Sequence, residues 1–193
     1  METRGSQQEI VCQQVLVEDS SVFSIQWGTF PREIASELTP PMLVNRYLSY
    51  IRRTTLSIIR PVASADGIEF RLLATRWSLI SFLNPVEERD TVIMRICGGL
   101  LVQQRHCDRG ELRFTVEPRS GGIRVTLQLS GYCPLILGGP TPSKVRYWLY
   151  RLTQAAIHRL VTVRFLVLLY RDLAGPAACV KVVAGQIREG RPV

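Results

Sequence analysis

The chain has 193 residues, 46% of them apolar and 21% charged, which is enough to bury one sizeable core and excludes a disordered polymer. Basic residues outnumber acidic ones 24 to 16, for a net charge of +8. No block of five or six like charges occurs, and the Arg residues are scattered, so a dedicated nucleic-acid surface is disfavoured.

Cys12, Cys97, Cys107, Cys133 and Cys179 are odd in number and irregular in spacing, unlike a disulfide framework. Inside apolar runs, free Cys behaves as a small hydrophobe. The N-terminus has no apolar signal region. The densest apolar run, Leu160 to Tyr170, is short for a membrane span and carries Arg164. A cytoplasmic protein without a transmembrane segment is the expectation, folded as a single domain over 1–193 with loose tails at 1–8 and about 186–193.

In chain order, Glu9 to Val17 is β-prone, and Ser21 to Trp27 alternates like a half-buried strand. Thr29 to Pro41 is turn-rich. Pro40-Pro41 opens a helix in which Leu43, Tyr47, Leu48 and Ile51 recur at helical spacing up to about Arg53. Thr54 to Ile59 is β-branched and reads as a strand before Pro61. From Asp66-Gly67 onward the pattern is antiparallel β: Ile68–Thr75, Trp77–Leu83, Thr91–Cys97, Leu100–Cys107, Glu111–Glu117 and Ile123–Tyr132. Asp108-Arg109-Gly110 and Ser120-Gly121-Gly122 supply hairpin turns. Leu112, Phe114 and Val116 alternate with charged or polar neighbours, as do Ile123, Val125, Leu127 and Leu129, giving one wet and one buried face.

Gly131 to Ser143 is an uncharged crossover into the longest element, a helix from Pro142 to Leu173. It lacks Gly and Pro until Gly175-Pro176 and spans roughly 45 Å at 1.5 Å per residue. At 100° per residue, Val145, Trp148, Leu149, Leu152, Ala156, Val163, Leu166, Val167 and Tyr170 share one sector, the expected core face. Arg159 falls in that sector, where it either reaches solvent past its own aliphatic stem or meets a polar ligand group. Tyr150, Ile157, Val161, Phe165 and Leu168 form a second apolar stripe on the opposite side, so both sides need a covering. Ala177 to Val183 is a candidate short strand.

Strands that end in a Gly- and Pro-rich crossover and then a long C-terminal helix, Gly110 to Leu173 here, resemble the START-like helix-grip superfamily (SRPBCC), and within it the polyketide-cyclase/lipid-transfer-like branch. The resemblance implies an α+β fold: a curved antiparallel sheet gripping one long C-terminal helix, with an apolar cavity between them that holds a hydrophobic small molecule or lipid. Superfamily members usually open with a strand and two short helices, and only one clear helix is visible here, around 41–53.

Other chemistry finds little support. Gly138-Gly139-Pro140-Thr141-Pro142-Ser143-Lys144 precedes a helix but departs from a phosphate loop, and its prolines remove amide donors. Helix capping by Thr141 or Ser143 accounts for it better. Cys97, His106 and Cys107 match no zinc spacing, and neighbouring strand residues point to opposite faces. His158 reads as a surface or interface residue, and Glu87-Glu88-Arg89-Asp90 as a solvated turn. Trp27, Trp77 and Trp148 read as core or cavity lining. No nucleophile elbow exists, so no catalytic residue, cofactor or metal is assigned.

The leading reading is non-enzymatic binding of a hydrophobic ligand. Trp148, Leu152, Val163, Phe114 and Leu127 line the pocket, and Arg159 orients a polar head. Two alternatives stay open. One is an interaction module whose second apolar stripe meets a homodimer partner or an anionic membrane surface. The other is a cyclase- or hydrolase-like enzyme acting on an apolar substrate.

Overall fold

The computed structural model describes residues 7–17, 19–103, 110–138 and 143–193. They form an α+β fold in which a large, curved, mostly antiparallel sheet of 11 strands grips one long C-terminal helix, Lys144–Ala174. The strands are β1 (Gln8–Leu16), β2 (Val22–Phe30), β3 (Ile59–Ser64), β4 (Gly67–Leu72), β5 (Ser78–Leu83), β6 (Val86–Glu88), β7 (Thr91–Gly98), β8 (Glu111–Arg119), β9 (Gly122–Tyr132), β10 (Val180–Ala184) and β11 (Arg191–Pro192). Their order is β10-β1-β2-β9-β8-β7-β5-β4-β3, with β11 also on β1 and β6 on β7. Two helices, α1 (Arg32–Ala35) and α2 (Pro40–Thr54), lie between β2 and β3 in the chain.

The alternation read in β8 and β9 places Leu112, Phe114, Val116, Val125, Leu127 and Leu129 in the core. Their hairpin closes through Ser120-Gly121. Gly122 takes φ 140°, and a Cβ there would run into the Phe30 carbonyl of β2. In α2, the Thr39 hydroxyl accepts from the Met42 amide and the two prolines sit in the first turn, where no intrahelical donor is lost. Tyr47 and Tyr50 of α2 meet Phe165 of the long helix at 5.2 and 5.4 Å between ring centres, and Tyr47 also meets Phe114 of β8. α2 thus welds helix to sheet.

Several local expectations change. Thr54 ends α2 and residues 55–58 turn rather than extend, with Leu56 and Ser57 at positive φ. The strand begins at Ile59 and carries Pro61, tolerated because β3 is an edge. Residues 100–103 form a turn in which Val102 bridges Pro134, and 104–109 lie outside the described residues, with His106, Cys107 and most of the Asp108-Arg109-Gly110 turn. So does most of the 138–144 crossover motif. β10 runs parallel to β1. The chain's end, expected to trail, is held instead. β11 pairs with β1, the Gln13 side chain bonds the Ile187 and Arg188 amides, and the Tyr147 hydroxyl donates to the Pro192 carbonyl. Trp27 packs with Val15, Val17, Phe23 and Ile25 on the sheet face away from the helix, and Trp77 is exposed.

The long helix starts at Ser143, whose hydroxyl accepts from the Arg146 amide, and stops at Gly175. It is continuous but not uniform, because Arg151–Ala155 form a π-turn. A π-turn holds one extra residue, which at about 100° per residue slips the phase of everything beyond it by about a quarter turn. The inward face therefore moves about a quarter turn around the sequence pattern, onto the edge between the two apolar stripes beyond the π-turn. Val145, Trp148, Leu149 and Leu152, expected against the core, are exposed; Leu166 and Tyr170, on the same stripe beyond the slip, are buried. Tyr150 and Phe165 of the opposite stripe are buried as well. By length and composition the helix is apolar enough to cross a membrane, contrary to expectation, but its inward face is packed on the sheet.

Candidate ligand cavity

Between the sheet and the inward face of the helix lies a hollow of about 250 Å³. The sheet contributes Ile59, Phe70, Ile80, Phe82, Ile96, Leu112, Leu129 and Tyr132, and α2 contributes Tyr47 and Ile51. Leu101 closes one side, and the Tyr132 hydroxyl donates to the Leu101 carbonyl at 2.9 Å. The long helix supplies Tyr150, Gln154, Ile157, His158 and Val161. Tyr150, Gln154, His158 and Val161 face inward around the π-turn, while Ile157 sits at the rim, largely exposed.

The polar groups are few. Gln154 Oε1 and His158 Nε2 have no solvent contact and no hydrogen-bond partner. Leaving such groups unpaired costs roughly 1–3 kcal/mol each. His158 as a residue is half-buried, yet burial of its ring lowers its pKa from 6.5 to about 4, so it is neutral at pH 7. Burial also raises the phenol pKa of Tyr47 and Tyr150, which keeps both protonated. No Lys, Arg, Asp or Glu lines the hollow among the described residues. It therefore suits a neutral guest: a buried ion would have no counter-charge.

The residues singled out from sequence separate into three places. Phe114 and Leu127 lie in the solid core. Leu152, Arg159 and Val163 line an open groove on the outer side of the helix with Arg151, Arg164, Val182 and Val193. Trp148 is exposed, with the Arg151 guanidinium 5.9 Å from its ring centre. The structure does not bring these residues together around one ligand space. Of the two fates open to Arg159, it takes the solvent-reaching one. Gln154 and His158 were missed, though a signal existed: both fall within the Tyr150–Val161–Phe165 stripe as its polar members. Among the described residues no group of three His, Cys, Asp or Glu converges as a metal site.

No protein-family model matches the chain, and no curated protein matches its sequence. Solved structures similar to it include two of CalU16 from Micromonospora echinospora. The solution NMR structure matches over 67% of this chain at 10% identity and a TM-score of 0.32, and this chain spans 63% of its length. The crystal structure matches over 90% of this chain and 96% of its own at 14% identity and a TM-score of 0.34.

Proposed function

We propose that the protein binds a small, neutral, largely apolar molecule in the sheet–helix hollow, without catalysing a reaction on it. The observation that carries this reading is the pairing of an apolar hollow with two buried polar atoms that find no protein partner. An apolar hollow leaves the side chains that line it without packing partners on one side. Water fills apolar space poorly. A guest that buries its body against Ile96, Leu112 and Val161 and offers a hydroxyl or amide proton to Gln154 Oε1 removes both penalties. His158, neutral, donates to or accepts from the same polar end. The volume lies just below the usual small-molecule range of roughly 300–1,000 Å³, which favours a compact guest over a two-chain lipid. A lone neutral His with no carboxylate or nucleophile beside it among the described lining residues favours binding over catalysis.

Native mass spectrometry after mild purification tests the reading. A bound adduct is expected in the wild type and in Arg159→Leu, whose side chain lies outside the hollow. It is expected to be lost in Val161→Phe, which fills the space, with circular dichroism unchanged. Absence of an adduct from the wild type, together with no thermal shift on adding compact apolar alcohols, overturns it.

A further inference from the structure

The outward surface of the long helix is independent of the hollow and carries a second inference. Only 28% of the helix's most apolar 18-residue stretch is buried. Val145, Trp148 and Leu149 before the π-turn and Leu152 within it face outward, and beyond it the phase slip brings Ile157 and Leu160 onto the same side. Trp148 is 56% exposed, Leu152 64%, Ile157 59% and Leu160 65%. Among the described residues nothing covers this surface. From Val145 to Leu160 it extends over about 23 Å at 1.5 Å per residue, more than the scattered apolar side chains of an ordinary surface.

Its charge is one-sided. Between Lys144 and Arg171 the helix carries Arg146, Arg151, Arg159 and Arg164 and no acidic residue. None of these four arginines has an ion-pair partner among the described residues. Arg151, Arg159 and Arg164 line the groove beside the apolar strip.

We propose that this face, from Val145 to Arg164, docks on an anionic bilayer surface. The apolar strip enters the boundary between headgroups and acyl chains, Trp148 sits at the headgroup level, and the arginines meet lipid phosphates. Charge chooses this occupant over a second copy of the chain, because a two-fold interface here would press two sets of unpaired arginines together. Ile157 lines the hollow and is also exposed on this side, so the docked face borders the hollow's edge.

Co-sedimentation of the full chain with vesicles is the test. Vesicles of phosphatidylcholine alone are compared with vesicles in which part of the lipid is phosphatidylglycerol. Binding is expected to the second and not the first, with a blue shift of tryptophan emission that Trp148→Phe removes, and with loss at high salt. Arg151→Ala with Arg159→Ala is expected to weaken binding by roughly thirtyfold, from the usual contribution of two near-surface charges. Leu152→Ser with Leu160→Ser, both at exposed positions, is expected to abolish it with an unchanged thermal transition. No binding to either vesicle, or equal binding to both, overturns the proposal. So does a concentration-dependent dimer in light scattering that Leu152→Asp dissolves, which would assign the face to a second copy. Vesicle binding is read on protein emptied of any adduct, so its failure and that of the cavity reading are separate results.

Discussion

The inward and outward surfaces of the long helix are both rich in apolar residues, and charge is what separates them. Inward, Tyr150, Phe165, Leu166 and Leu169 meet sheet and α2, and no cation lines the adjoining hollow among the described residues. Outward, Val145, Leu149, Leu152 and Leu160 share their side with Arg151, Arg159 and Arg164. Hydrophobicity alone ranks the two faces equally. The desolvation cost of arginine decides which of them faces the protein interior.

The largest test of this contrast is to add a residue to the π-turn. Because the turn already holds its one extra residue, inserting an alanine after Arg151 should rotate the first two helical turns by about 100°. Tyr147 and Tyr150 would leave the core, and Trp148 would swing inward. The expected cost is at least that of a large core truncation, about 3–5 kcal/mol by urea unfolding, with tryptophan emission moving to the blue. An unchanged midpoint would mean that the turn has no part in setting the faces.

Next in size is a matched pair from one sequence stripe. Leu166→Ala, at a fully buried position, should cost about 2–5 kcal/mol. Leu152→Ala, chemically identical but exposed, should stay within about 0.5 kcal/mol. Equal costs would break the comparison.

His158 sharpens it further, through pH. Its pKa lies at about 4 in the folded chain and near 6.5 unfolded, so the unfolded state binds the extra proton between these values. Stability is therefore expected to be flat with respect to this group above pH 7. It should decline as pH falls from about 6.5 to about 4, and lose no more below that. In His158→Leu the decline over that window should shrink. An identical pH profile in the variant would show that the ring is not shielded.

The smallest effect is expected from the arginines. Arg151→Ala with Arg159→Ala should leave the unfolding midpoint within about 0.5 kcal/mol, because both side chains are exposed and unpaired. A large loss would mean that they hold the fold rather than a partner.

Much of the architecture was legible in the residues. Period-two alternation marked β8 and β9, the Ser120-Gly121-Gly122 turn joined them, and Pro40-Pro41 opened α2, because these signals act over a few neighbouring positions. The long helix and the α+β helix-grip arrangement were legible for the same reason. The pocket residues were not. Phe114 and Leu127 read as inward and are inward, yet whether an inward side chain meets another side chain or an empty space depends on distant chain.

The amino-acid sequence by itself therefore determined the order of elements, the buried face of the strands, and the existence of two apolar stripes on one helix. Only the tertiary structure decided which residues of those stripes go in on each side of the π-turn. It also decided that Gln154 and His158, not Arg159, overlook the hollow. The physical reason is the single extra residue in the Arg151–Ala155 turn. Helical periodicity assumes a constant rotation per residue, and the place where that rotation breaks is set by how Tyr147, Tyr150 and Phe165 pack against α2, the chain's end and the sheet, contacts that no local pattern encodes.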